Sequence, residues 1–273
     1  MPAYVAEARG YFRDLDLDVR LQIEPTASTV PAKLLAGGCD FAVIPWTRVA
    51  VAARQGQPLV LVAGSGCAEA ALVVRRGLHP DAVRRVAVPL RGGIKDLTAI
   101  GLFRALGWSA VDTVSMPSGD GAILALVGEG ADAASMVEPY ATMMEMLEIG
   151  TVHKRTGDLW PGVPGCSLTT TAARIDAQPE VVRRVVAAFV RGAQHVCAHP
   201  ADAAATAAPY IGVHARFVEA ALGVNRPDVH AIRHTQVMGE VLQLMTELGY
   251  IDGPPGHHYR CLTFLDDAVA ALG

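Results

Sequence analysis

The sequence predicts an α/β fold of two similar lobes, each a mainly parallel sheet covered by helices. Three observations predict it. Short apolar runs alternate with helix-length amphipathic stretches. The alternation restarts after Gly77. One helix-to-strand corner occurs twice, as GGCDFAVIPW at 37–46 and EGADAASMVEP at 129–139, with Asp40 and Asp132 lying 92 positions apart. Each corner runs through Gly-x-Asp-x-Ala into a short apolar segment that stops at a proline, the layout of equivalent turns in two lobes.

Taken in order, Pro2 occupies a favoured early helix position, and Val5, Ala8 and Phe12 share a face, so a helix is expected over 2–12. LDVRLQIEP (17–25) alternates Leu17, Val19, Leu21 and Ile23 with polar residues, the pattern of a half-exposed strand. A helix from Val30, the strand DFAVIP, a helix at 47–55 and the strands LVLVAG (59–64) and ALVVRR (71–76) follow. Strand–helix–strand repetition implies a mainly parallel sheet. The second series begins with RRVAVPL (84–90), then the helix GGIKDLTAIGLFRALG, the strand VDTVSMP (111–117), a helix from Asp120 and the strand DAASMVEP. CSLTTTAARI (166–175) reads as a strand returning from the second lobe. The rest is helical: PEVVRRVVAAFVRGAQHVCAHP is bounded by Pro179 and Pro200, and shorter helices lie near 200–209, 214–223 and 229–248. The expected division is therefore 1–80 with 172–273 as lobe 1 and 81–171 as lobe 2, joined by crossings near 76–84 and 166–172. Two crossings make a hinge with a cleft beside it.

Composition narrows the function. With 51% apolar and 18% charged residues, the 273-residue chain can build a large core. A net charge of −4 and a pI near 6.1 argue against a nucleic-acid partner, whose phosphates need a basic surface. No apolar run is long enough to span a bilayer, and MPAYVAEARGYFRD reads as folded helix, without the pattern of a signal peptide. Cys39, Cys67, Cys166, Cys197 and Cys261 are odd in number and lack CxxC spacing, as expected of reduced thiols.

Several stretches together carry a resemblance: YVAEARGYFRDLDLDVRL, AKLLAGGCDFAVIPW, ARQGQPLVLVAG, LFRALGW, ALVGEGADAASMVEPY and QPEVVRRVVAAFVRGAQHVCAHPADAA. In order and spacing the chain resembles the substrate-binding proteins of the nitrate/sulfonate/taurine group of ABC importers, relatives of the thiamine-pyrimidine-precursor binders. The resemblance implies a type 2 periplasmic-binding-protein fold whose lobes close on a small-molecule ligand. It also implies an ABC permease and ATPase as partners, a monomer, no cofactor or metal, and an extracytoplasmic location. The chain departs from the group at its start, where members carry a β-strand ahead of the helix that begins here at Pro2, usually after a secretion or lipoprotein signal. That strand is central in the group's sheet, so a gap with unpaired backbone groups is expected. A trimmed start and a cytoplasmic relative with an adapted sheet are the two explanations.

Ligands of open α/β sheets sit outside the carboxyl ends of the strands, where helix N-termini converge. That rule marks Thr26, Ser28 and Thr29 in EPTASTVP, with N-capping by Ser28 or Thr29 as the plain alternative, and Trp46 and Thr47 in PWT. In the second lobe it marks Gly92, Gly93 and Lys95 in PLRGGIKD, Ser118 in PSGDG, and Glu138 and Tyr140 in VEPY, opposite Trp46. Glu138 either accepts from a ligand amine or pairs with a basic side chain. These groups suit a small organic ligand with an anionic head, such as a sulfonate or carboxylate, and an amine or heterocycle elsewhere. A non-catalytic role is expected. The alternatives are a desulfinase-like or pyrimidine-precursor-type enzyme of the same fold and a cytoplasmic sensor. Against catalysis, Cys39 and Cys67 have no evident base beside them, and GxSxG and HExxH are absent. GHHYRC (256–261) gathers His257, His258 and Cys261 in a spacing unlike known zinc motifs, and no metal site is assigned.

Overall fold

Pro2, whose missing N–H no helical turn would use, opens helix α1 (Pro2–Ala8). The computed structural model describes residues 1–273 except 25–26, 90–93, 109, 117–118 and 273, and the side chains of all of these but 89, 94, 95, 98, 119 and 120. After α1 come α2 (Val30–Leu35), β1 (Ala42–Pro45), α3 (Trp46–Arg54), β2 (Leu59–Gly64) and β3 (Ala70–Arg75). The second series is β4 (Arg85–Pro89), α4 (Ile94–Leu106), β5 (Asp112–Met116), α5 (Gly119–Val127), β6 (Ala133–Val137), α6 (Tyr140–Met146), β7 (Gly150–Arg155) and α7 (Thr156–Leu159). The chain then returns through β8 (Cys166–Thr171), α8 (Ala172–Ala177), α9 (Pro179–Ala198), α10 (Pro200–Ile211), α11 (Ala215–Leu222), α12 (Thr235–Glu247) and α13 (Thr263–Leu272).

Two sheets form among the described residues, ordered β1-β8-β2 and β5-β4-β6-β3-β7. They are mixed rather than mainly parallel. β8 comes back from the second sheet, enters between β1 and β2, and runs against both, with Ile44 opposite Ser167 and Leu61 opposite Thr169. In the second sheet β4 is parallel to β5 and β6, whereas β3 is antiparallel to β6 and β7. Pairing also corrects the expected boundaries. β3, assigned by sequence to lobe 1, is a strand of the second sheet, and β8, assigned to lobe 2, lies in the first. The crossings therefore fall at 65–69 and 160–165. β7 was not foreseen from GTVHKR, which as an edge strand carries few apolar residues. Residues 17–24 are not a strand: exposure alternates as expected from 17 to 22, but Ile23 is exposed, and the stretch pairs with no described strand.

The first half is sealed by α9, whose Val182, Val186, Phe189, Val190 and Ala193 are buried in a core with Ile44, Trp46 and Leu61. Each of the larger side chains contributes about 1.5–3 kcal/mol by leaving water. The twin corners hold equivalent places, α2 leading into β1 and α5 into β6. At the second, the Asp132 carboxylate accepts the N–H groups of Arg84 and Arg85, each at 2.9 Å, and so caps the start of β4. Burial opposes its charge, but these bonds and the Arg85 and Arg75 cations outweigh it and hold the carboxyl below its usual pKa. Asp132→Ala is expected to cost about 2 kcal/mol at neutral pH in urea unfolding. The carboxylate contributes stability above the unfolded-state pKa, near 4, and loses it as pH falls through the lower folded value, so the deficit should shrink in acid.

Candidate functional site

The two crossings lie side by side. Ser65 N–H donates to the Cys166 carbonyl at 3.0 Å, Gly165 N–H to Gly66 at 2.9 Å, and Ala68 N–H to Val163 at 3.0 Å. Glu138 N–H reaches the Glu69 carbonyl at 3.0 Å, tying the end of β6 to the same place. Here the C-terminal ends of β1 and β6 face a cavity of about 1010 Å³. Its wall includes Pro45, Ser65, Gly66 and Glu69 on one side and Glu138 and Tyr140 on the other.

Glu69 is the polar residue that sequence reasoning missed. Its carboxylate accepts the Cys166 N–H at 3.2 Å. A Cβ on Gly66 would lie 2.7 Å from Glu69 Oε1, and one on Gly165 would overlap the carboxylate, so two glycines make room for it. GSGCAE between two apolar strands was the available signal, a glycine pair beside an acid where the chain changes sheets. Met1 lines the same cavity.

Of the residues named from sequence, Thr26, Gly92, Gly93 and Ser118 lie outside the described residues, as does the Lys95 side chain. Ser28 and Thr29 are exposed at the start of α2 and off the cavity wall, and the Thr29 side chain makes no capping bond. Trp46 and Thr47 are fully buried in the first half's core. Pro45 turns the chain from β1 into α3, which carries both side chains beneath the wall instead of along it, and Trp46 N–H donates to Gly165 O at 3.2 Å. The Trp46 indole N–H and Thr47 hydroxyl have no partner among the described residues. Glu138 lines the cavity but is committed: its side chain, 6% exposed, pairs with Arg155 and accepts Thr142 N–H at 3.0 Å. Tyr140 also lines it, and its hydroxyl donates to Ile211 O at 3.4 Å, linking α6 to the end of α10. On another flank Arg104 of α4 pairs with Glu247 of α12 at 3.1 Å, and Asp96 accepts from the Tyr250 hydroxyl.

Burial pushes the Cys67 thiol up to about 11 and raises Cys39, so neither thiol is set up as a thiolate. His257 and His258 are exposed on a short 3-10 turn, and the backbone N–H of Cys261 is held by Leu61 O at 2.9 Å. No described helix is long and apolar enough to cross a membrane.

The profile of the NMT1-like family matches residues 1–212. The chain belongs to the NMT1-like family. Among curated proteins, none matches the sequence. Solved structures similar to this NMT1-like chain include the ligand-binding component of an ABC-type import system from Staphylococcus aureus, with zinc bound. It is 14% identical with a TM-score of 0.80, over 98% of this chain and 96% of that one. The periplasmic aliphatic sulphonate-binding protein SsuA from Escherichia coli is 15% identical with a TM-score of 0.78, over 93% and 86%. The periplasmic nitrate-binding protein NrtA from Synechocystis PCC 6803 is 14% identical with a TM-score of 0.77, over 99% and 85%. At these identities the likeness shows the fold, and the NMT1-like chain has the periplasmic-binding-protein fold expected from its sequence.

Proposed function

We propose that the chain is a non-catalytic solute-binding protein that takes a small organic molecule into the cavity between its two sheets. The observation that carries this reading is the placement of that cavity. It sits where the C-terminal ends of β1 and β6 face each other across the paired crossings, with the Glu69 carboxylate cradled by two glycines. Ligand contacts to both sides would favour the closed arrangement by their differential binding energy. The similar structures, named for import components and for sulphonate and nitrate binding, support a role in an ABC importer, with a permease and ATPase as partners and an extracytoplasmic location. The ligand we favour has an anionic head, and an amine or heterocyclic N–H that Glu69 accepts.

Calorimetry against aliphatic sulfonates, carboxylates and aminated heterocycles tests the reading. At least one compound should bind, and Glu69→Gln should weaken it about tenfold, the loss of one charge-assisted hydrogen bond. Uniform silence from folded protein overturns the proposal.

A further inference from the structure

Among the described residues, four that are not glycine hold a left-handed backbone: Asp16, Ala68, Glu129 and Glu148. Three of these are acidic and lie one or two residues beyond the end of a helix, where a left-handed residue closes the last turn. Ala68, with φ 52°, follows no helix and lies in the first crossing. Its Cβ crowds the backbone in that conformation, and such a steric cost persists only where the surrounding structure imposes it.

The backbone on either side of Ala68 is attached to different halves. The Ala68 N–H donates to the Val163 carbonyl at 3.0 Å and ends a short ladder, in which Ser65 bonds to Cys166, Gly66 to Gly165, and Cys67 faces Pro164. This ladder prolongs β2 and β8 and so belongs to the first sheet. Its outer end is braced from the first half as well. His234, at the start of α12, donates from Nδ1 to the Gly162 carbonyl at 2.7 Å. A Cβ on Gly162 would lie 2.6 Å from that nitrogen, so the imidazole approaches this closely because the residue is glycine. One residue past Ala68 the attachment changes. The Glu69 carbonyl accepts the Glu138 N–H at 3.0 Å, and the Ala70 carbonyl accepts the Thr156 hydroxyl at 2.8 Å, both from the second half.

We propose that Ala68 is the joint about which the two halves turn, and that its left-handed backbone is strained in the closed arrangement and relaxes as the cleft opens. The halves are closed here: at the cavity mouth the Tyr140 hydroxyl of the second half donates to the Ile211 carbonyl of the first. The strain works against closure, so the empty protein spends more time open, and contacts made by a bound molecule offset it. Glu69 couples the joint to the cavity. Its carbonyl is held by the second half, while its carboxylate accepts the Cys166 N–H of the ladder at 3.2 Å. Turning at Ala68 moves one attachment relative to the other, so a group bound by Glu69 acts directly on the joint. That coupling rests on the cavity being the ligand site, whereas the joint itself does not.

Small-angle X-ray scattering of the protein without added ligand tests the joint. Ala68→Gly removes the steric cost of the left-handed residue and should shift the balance about fivefold toward the closed form, read as a smaller radius of gyration than that of the unchanged chain. Ala68→Val, whose β-branch tolerates this backbone least, should give a larger radius. A glycine variant whose radius equals or exceeds that of the unchanged chain overturns the proposal, and this comparison decides alone if the valine variant does not fold. Amide hydrogen exchange then locates the bend. The N–H groups of Ser65, Ala68 and Gly165 should exchange equally slowly in the unchanged and glycine chains, because the ladder moves as one body. Exchange about tenfold faster in the glycine variant puts the bend inside the ladder and overturns the assignment of Ala68. Neither measurement uses a ligand, so silence of every compound in calorimetry would sink the ligand site and leave the joint to be decided by these results.

Discussion

Arg155→Leu should lower stability by about 3 kcal/mol, measured by urea unfolding at neutral pH. The guanidinium pairs with Glu138, whose side chain is only 6% exposed, and also lies 4.0 Å from Glu145. Its removal leaves a carboxylate inside the protein with the Thr142 N–H as its remaining described partner. Arg155 is itself 23% exposed, and partial solvation keeps the expected cost at the lower end of the range for broken buried pairs. The pair also has a functional consequence. Glu138 holds the second-sheet wall of the cavity, so the variant should bind ligand more weakly than its residual stability alone explains. Glu138→Gln added to Arg155→Leu should recover much of the loss, because a neutral amide needs no counter-charge. If the single variant loses less than about 1 kcal/mol, the carboxylate is reached by water and the pair is a surface one.

Gly192→Val should cost about 3 kcal/mol or more, a fall of roughly 6–12 °C in Tm for a chain of this size. Gly192 lies on the α9 face that meets α1. A Cβ there would overlap the Pro2 carbonyl oxygen and lie 3.2 Å from Ala6 Cβ. The obstacle is backbone, which cannot rotate aside as a side chain would. α1 must lift from α9, and the fully buried Val5 and Ala6 would lose their packing. Met1 and the cleft end of α1 would move with it, so ligand binding should fall together with Tm. A thermal scan showing a change below about 2 °C would mean that α1 shifts freely, and that its contact with α9 contributes little.

The helices and most strands were legible because their signals are local. Pro2 and Pro179 start helices at positions where a missing N–H does no harm, and Val182, Val186 and Phe189 repeat at helical spacing. The twin corners were legible for the same reason. The site was less so. Trp46 and Glu138 occupy equivalent corners, yet one is sunk in the core beneath Pro45 and the other is neutralised by Arg155, 17 residues away in sequence. Glu69 lies in a crossing that sequence spacing located about ten residues too late, since ALVVR reads the same whichever sheet it joins.

The residues alone therefore determined the α/β alternation, the repeated Gly-x-Asp-x-Ala corner, and the likeness that a match over residues 1–212 bears out. These depend on neighbours within a few positions, where backbone preference and side-chain period act directly. Only the tertiary structure decided which edges meet. β8 pairs with strands more than 100 positions earlier, as Leu61 with Thr169 shows, while residues 17–24, strand-like in sequence pattern, find no described partner. A strand is completed by hydrogen bonds to another backbone, and no local pattern specifies which backbone will stand beside it.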